Sequence, residues 1–190
     1  MNCEKTDSNE EKMMDRSKMV WYAVYGSNLL FERFMTYLKG GSFMGGNPAS
    51  RCNDTTPPRA RLLYELQYDM YFGNSSSSWE GKGVSFLDIT KPGKAYSVAY
   101  LVSREQFDHI CRQENGGKVP EESPLWYDLV FKVGEFDGIP MMTLTNSGVR
   151  PAKEPGGKYL EVLKLGLMEN YPYLTSEEIT DYLFTRNAHR

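Results

Sequence analysis

Glu114 is the first residue of this sequence whose type and spacing suggest chemistry. Residues 103–114 predict a helix, with Ser103 and Gln106 forming a capping box at its start and Gly116 and Gly117 stopping it. Its apolar positions are Phe107, Ile110 and Cys111, and adding three or four to those numbers lands on Glu114, so a carboxylate shares the core-facing stripe. A carboxylate turned toward a core loses solvation; its pKa rises, and it can accept and return a proton near neutral pH. The plain alternative is a last-turn residue that swings out to water or pairs with a structural arginine. A second feature is Tyr25-Gly26-Ser27-Asn28-Leu29, where a short apolar run stops at Gly26 and an amphipathic helical pattern begins. Glycine lets the backbone turn and approach a ligand, while the first turn of the next helix presents unpaired N–H groups and a positive dipole end. The loop is therefore a candidate anion site, with Ser27 and Asn28 as plausible N-caps, or else an ordinary strand-to-helix corner.

Other side chains narrow the chemistry. The two histidines are His109, beside Asp108 on the polar face of the same helix, and His189, next to last. They cannot form a three-histidine metal site, so a carboxylate is the expected proton carrier. Cys3, Cys52 and Cys111 include no pair at metal-ligand spacing and indicate neither a disulfide framework nor a zinc site. Glu32, Glu65 and Asp69 are alternative bases.

The elements that must position these groups read as one α+β domain. With 190 residues, 40% of them hydrophobic and 13% aromatic, the chain can bury a sizeable single core. Residues 1–18 are polar and without periodicity, giving an expected disordered tail before a single domain over 19–190. Strands are expected at 21–25, 62–72, 83–89, 95–102, 126–133 and 139–145, aromatic and β-branched enough to favour an antiparallel or mixed sheet. Helices are expected at about 29–39, at 103–114, at about 158–170 despite Gly166, and after Thr175, where Glu178 closes another capping box. Residues 40–58, with four glycines and three prolines, predict a long surface loop, and 74–78 a serine-rich connection between strands.

A net charge of −3 gives no electrostatic case for nucleic acid or an anionic membrane. No run approaches a membrane span, and the opening residues are too charged for a signal peptide, so the expectation is a cytoplasmic protein acting on a small molecule. A homodimer is compatible with this reading.

The Tyr25-Gly26-Ser27-Asn28-Leu29 loop, followed at a distance by a helix ending Arg112-Gln113-Glu114, resembles the γ-glutamylcyclotransferase family, whose members begin with a strand and a YGSN loop. Residues 61–72, 83–89 and Pro92-Gly93-Lys94-Ala95-Tyr96-Ser97-Val98 are similar to that family's central strands, including a Pro-Gly turn. Pro155-Gly156-Gly157-Lys158-Tyr159-Leu160 is similar to its tyrosine-bearing helix, and the resemblance covers about 20–183. Three departures stand out. Asn115 replaces the usual Gly after the catalytic Glu, Cys111 the frequent Asp three residues before it, and Met141-Met142-Thr143 a tyrosine that touches substrate in some members.

The resemblance implies a small closed β-barrel, mixed or antiparallel, with flanking helices. The implied reaction is an intramolecular aminolysis of a γ-glutamyl compound, releasing 5-oxoproline and an amine or amino acid without metal or organic cofactor. Glu114 would be the general acid and base; Tyr25, Gly26, Ser27, Asn28, Leu29 and Tyr159 would bind substrate, and loop 40–58 could cover the mouth. Two other functions stay open: a binding protein that keeps the fold and pocket without turnover, and a phosphate-binding hydrolase using the glycine loop, which lacks a P-loop ending and a metal site.

Overall fold

The computed structural model describes residues 15–185; Cys3, His189 and residues 1–14 of the expected tail lie outside them. Residues 15–18, placed in that tail by the sequence, have regular structure: Asp15 caps a 3₁₀ turn over Arg16–Lys18, and Arg16 pairs with Asp137 at 2.9 Å.

Strand β1 (Met19–Val24) is buried at every position, as an uninterrupted apolar run requires when both faces of a central strand are covered. The chain then passes through a single 3₁₀ turn, Ser27–Leu29, into α1 (Phe31–Lys39), which buries Phe34, Met35, Tyr37 and Leu38 and ends at Gly40 with positive φ. Strands β2 (Ala60–Ser76) and β3 (Lys82–Ser103) form a long antiparallel hairpin closed by the serine-rich corner. Two separate strands were expected where β3 runs unbroken. Pro92-Gly93 is no turn: Tyr68 pairs with Pro92 while Asp69 pairs with Asp88, so residues 89–91 of β3 bulge out of the ladder.

Helix α2 (Arg104–Glu114) starts at Ser103 with both halves of the capping box formed. Strands β4 (Leu129–Phe136) and β5 (Ile139–Thr145) follow, then α3 (Gly157–Asn170) and α4 (Ser176–Thr185), the last opened by the Thr175–Glu178 capping bonds.

The five strands lie in the order β2-β3-β1-β5-β4. The β1–β5 pair is parallel, and β1–β3, β2–β3 and β4–β5 are antiparallel, so the sheet is mixed. The closed barrel expected from the resemblance is a correction: β2 and β4 are edges, with no backbone ladder between them among the described residues. The two edges approach each other where the Tyr64 hydroxyl donates to the Val133 carbonyl at 2.9 Å and Tyr68 packs edge-on against Phe131. Register shifts at Leu66/Tyr68 in β2 and Lys132/Gly134 in β4 interrupt the regular pairing of each with its own neighbour close to this contact. No helix among the described residues is long and apolar enough to cross a membrane.

Candidate active site

The cavity that matters opens where β1 ends. It has a volume of about 810 Å³, and Tyr25, Gly26, Ser27, Asn28, Arg33, Tyr37, Ser85, Glu114, Tyr127 and Tyr159 are among the residues lining it. Glu114 closes α2 with its carboxylate toward this space, and the Asn28 side-chain amide donates to its Oε1 at 2.9 Å. The glycine loop and the helix carboxylate, separated by 86 positions, are thus in direct contact. Glu114 is half-buried at the cavity wall, and desolvation pushes its pKa up; the Arg33 charge and the neighbouring Tyr37 and Asn28 work against that. A carboxylate held between these opposing influences is suited to proton transfer.

The loop's shape depends on what presses on it. A side chain at Gly26 would meet the Ser85 Oγ at 2.6 Å and the Tyr159 hydroxyl at 3.1 Å, so only glycine fits without displacing one of them. On the other side, Gly166 lets α3 approach until a Cβ there would lie 2.6 Å from the Leu30 nitrogen. The loop carbonyls are held as well: the Asn170 amide donates to the Leu29 carbonyl at 2.8 Å, and the Tyr100 hydroxyl to the Asn28 carbonyl at 3.2 Å.

The expected site residues divide unevenly. Tyr159 reaches the cavity from α3; its hydroxyl accepts from the Ser85 N–H at 3.0 Å and shares a 2.6 Å hydrogen bond with the Ser85 Oγ. Burial pushes this phenol up to about 12, so it stays a neutral hydrogen-bonding group. Tyr25 lines the cavity with its ring, but its hydroxyl donates to the Leu144 carbonyl at 2.9 Å and is committed to the sheet. Leu29 does not line the cavity: its side chain is buried in the core and its N–H is spent on the Gly26 carbonyl. Neither Ser27 nor Asn28 caps α1, whose N-cap is Leu30 without a side-chain bond; Asn28 uses its amide on Glu114 instead.

The alternative bases lie elsewhere. Glu32 is exposed, Glu65 pairs with Lys94, and Asp69 pairs with Lys91 at 2.8 Å. His109 donates from Nε2 to the Ser50 carbonyl, tying loop 40–58 to α2. No metal-binding cluster of His, Cys, Asp and Glu occurs among the described residues.

Four lining residues were not anticipated. Arg33 and Tyr37 are one helical turn apart on α1, and the Arg33 Nη2 donates to the Tyr37 hydroxyl at 2.8 Å. Tyr127 donates to the Ser85 carbonyl at 3.0 Å. Its segment is fixed by Asn115, whose amide donates to the Cys111 and Tyr127 carbonyls and whose Oδ1 accepts the Tyr127 N–H. Ser85, the fourth, sits on β3 and can be found only once the sheet brings it beside Gly26. Asn115, a departure from the resemblance in sequence, thus has a structural use here.

Comparison with known proteins agrees with this architecture. The structure is similar to a human protein described as uncharacterized protein loc79017, with a TM-score of 0.58, 21% identity and coverage of 86% of this chain and 87% of that one. It is also similar to a gamma-glutamyl cyclotransferase, with a TM-score of 0.56, 20% identity and coverage of 85% and 86%. YkqA from Bacillus subtilis aligns over 94% of this chain and 58% of its own, with a TM-score of 0.56 and 17% identity. The fold of this chain is that of the gamma-glutamyl cyclotransferases.

In sequence, histone deacetylase 5 of Arabidopsis thaliana is 29% identical over 201 residues, 86% of this chain. The chain spans about 30% of the length of that curated relative. No protein-family model matches the chain.

Proposed function

We propose that this protein is a γ-glutamylcyclotransferase-like enzyme that releases 5-oxoproline from a γ-glutamyl compound, with Glu114 as general acid and base. The observation that carries the reading is the contact between the Asn28 amide and the Glu114 carboxylate inside one cavity. The likeness in fold to a protein named gamma-glutamyl cyclotransferase supports it.

The reaction needs little beyond positioning and proton transfer. Glu114 takes a proton from the substrate's α-ammonium, and the freed amine attacks the γ-carbonyl carbon, forming a nitrogen–carbon bond. A negative oxygen develops on that carbon; the N–H groups of Gly26 and Asn28 are the candidates for holding it or the substrate's α-carboxylate. As the intermediate collapses, Glu114 gives its proton to the leaving nitrogen and takes the second proton from the ring nitrogen, the original amide bond breaks, and 5-oxoproline and an amine, which takes up that second proton and leaves as its ammonium, depart with no water consumed. Nucleophile and electrophile belong to one molecule, so the folded-back substrate supplies the proximity and the cavity must hold that bent shape. The neutral phenols of Tyr159 and Tyr127 and the Ser85 hydroxyl give it polar walls without competing bases.

The test is incubation of the purified chain with a panel of γ-glutamyl amino acids, peptides and alkylamines, with 5-oxoproline measured by chromatography. Product from at least one class, with stoichiometric free amine, is expected. No product across the panel, combined with stabilisation by glutamate or 5-oxoproline, would assign the pocket to binding alone.

A further inference from the structure

β3 has an open side at the cavity. β1 pairs with it only from Val98 to Ser103, so earlier groups of β3 that turn away from β2 have no neighbouring strand to bond. In an antiparallel strand the N–H and carbonyl of one residue point to the same side, and both need partners. At Leu87 the Thr145 hydroxyl serves both groups, at 3.1 and 3.2 Å. At Ser85 two phenols of the cavity wall do so: the N–H donates to the Tyr159 oxygen at 3.0 Å, and the carbonyl accepts from Tyr127 at 3.0 Å. The Ser85 hydroxyl is also spent on Tyr159, at 2.6 Å. All three polar groups of one residue are thus directed at two side chains that line the cavity.

Counting protons shows what this does. Tyr127 has one hydroxyl proton and gives it to a carbonyl, which can only accept, so its oxygen is left as an acceptor. Ser85 and Tyr159 hold two hydroxyl protons and share one bond; neither hydroxyl has another acceptor among the described residues, so one proton is left over. The Ser85 Oγ is enclosed, 2.6 Å from the Tyr159 oxygen and 2.6 Å from where a Gly26 Cβ would stand, in a residue only 1% exposed. A proton left on that oxygen would be a buried donor without a partner, which is costly. When Ser85 instead donates to Tyr159, the phenol oxygen takes both the N–H and the Oγ–H, and its own proton turns away from Ser85.

We propose that Ser85 is a positioning residue that turns the Tyr159 hydroxyl proton into the cavity, making this phenol a hydrogen-bond donor to a substrate oxygen beside Gly26. Tyr25 cannot take this part, because its proton is spent on the Leu144 carbonyl. Tyr127, fixed from the same serine, presents the opposite polarity. A ligand that fits both brings an oxygen to Tyr159 and an N–H to Tyr127, as a γ-glutamyl compound does with its carbonyl or carboxylate and its α-ammonium.

The inference rests on the cyclotransferase reading for the substrate but not for the proton, so one readout needs no turnover. In neutron diffraction from crystals of the deuterated protein, the Ser85 Oγ deuteron is expected on the line to Tyr159 and the Tyr159 deuteron in the cavity. A Tyr159 deuteron lying on the line to the Ser85 Oγ overturns the proposal. In the cyclotransferase assay, Tyr159→Phe is expected to lower kcat/KM about 100-fold, as loss of a donor to a substrate oxygen dictates. Ser85→Ala is expected to lower it about tenfold, and the double variant to be no slower than Tyr159→Phe alone, because the serine acts through the phenol. Losses that multiply to about 1,000-fold in the double variant would mark an independent structural role and overturn the proposal, as would wild-type turnover by Tyr159→Phe. If Ser85→Ala fails to fold, the deuteron positions and Tyr159→Phe decide. If no substrate turns over, the deuteron positions still decide, and the two failures stay distinct.

Discussion

Replacement of Gly26 by alanine isolates the packing that shapes the loop. Gly26 has φ −109° and ψ −148°, so the replacement asks for no positive φ. The cost is steric. The new Cβ would sit 2.6 Å from the Ser85 Oγ and 3.1 Å from the Tyr159 hydroxyl, and Ser85 is buried, so its hydroxyl must rotate away and give up its 2.6 Å bond to Tyr159. Overpacking of this kind costs ~1–3 kcal/mol, and a stranded buried hydroxyl a similar amount, partly the same energy counted twice. A net loss of about 2–3 kcal/mol is expected, a fall in Tm of roughly 5–10 °C for a chain of this size. Because the loop backs onto Glu114, a shift near 1 Å should also lower kcat/KM by about 100-fold.

The assay is a double-mutant cycle by thermal and urea unfolding with Ser85→Ala, which removes the colliding oxygen while leaving Tyr159 the Ser85 N–H. Gly26→Ala combined with Ser85→Ala should be more stable than the two single losses predict, with a coupling of about 1 kcal/mol or more. Additivity within about 0.5 kcal/mol would refute the reasoning, since it would mean that Gly26 and Ser85 do not compete for the same space.

Two further outcomes follow from the site. Glu114 has a folded-state pKa raised chiefly by burial, so the native state holds its proton more tightly than the unfolded chain; stability is fully present below the unfolded value and falls as pH rises toward the folded one. Glu114→Gln lacks that loss, so its melting temperature should exceed wild type above this window and converge with it below about pH 4, checked by thermal melts across pH. Asn115→Ala removes two hydrogen bonds that tie the Tyr127 segment to α2 and a third to the Cys111 carbonyl of that helix, and should cost about 1–3 kcal/mol by urea unfolding; a change below about 0.5 kcal/mol would contradict the bracing role.

Much of this arrangement is legible in the sequence because its signals are local. The spacing from Phe107, Ile110 and Cys111 to Glu114 fixes the carboxylate's face, and both capping boxes, at Ser103 and Thr175, form as their residues dictate. Signals that depend on distant chain are not legible. Arg33 and Tyr37 read as an ordinary i,i+4 pair on an amphipathic helix, and nothing local says that they line one cavity with a carboxylate 77 positions beyond Tyr37. The Pro92-Gly93 pair carries a turn signal that the long β2–β3 pairing overrides by bulging. Tyr25 and Tyr159 look equivalent as pocket tyrosines, yet the β5 carbonyl of Leu144 takes one hydroxyl and leaves the other at the cavity. The barrel fails for a similar reason: closure depends on how β2 and β4 finish their register, which no short pattern records.

The central claim, that a half-buried glutamate beside the glycine loop moves the protons of a γ-glutamyl cyclisation, is tested most directly by comparing wild type with Glu114→Gln on the best γ-glutamyl substrate. The measurement is the rate of 5-oxoproline formation, with the unfolding transition of each protein recorded in the same buffer. The account predicts 5-oxoproline from wild type and a loss of at least about 100-fold in Glu114→Gln, with its cooperative unfolding intact. Turnover by Glu114→Gln at the wild-type rate, or glutamate in place of 5-oxoproline as the wild-type product, would contradict it.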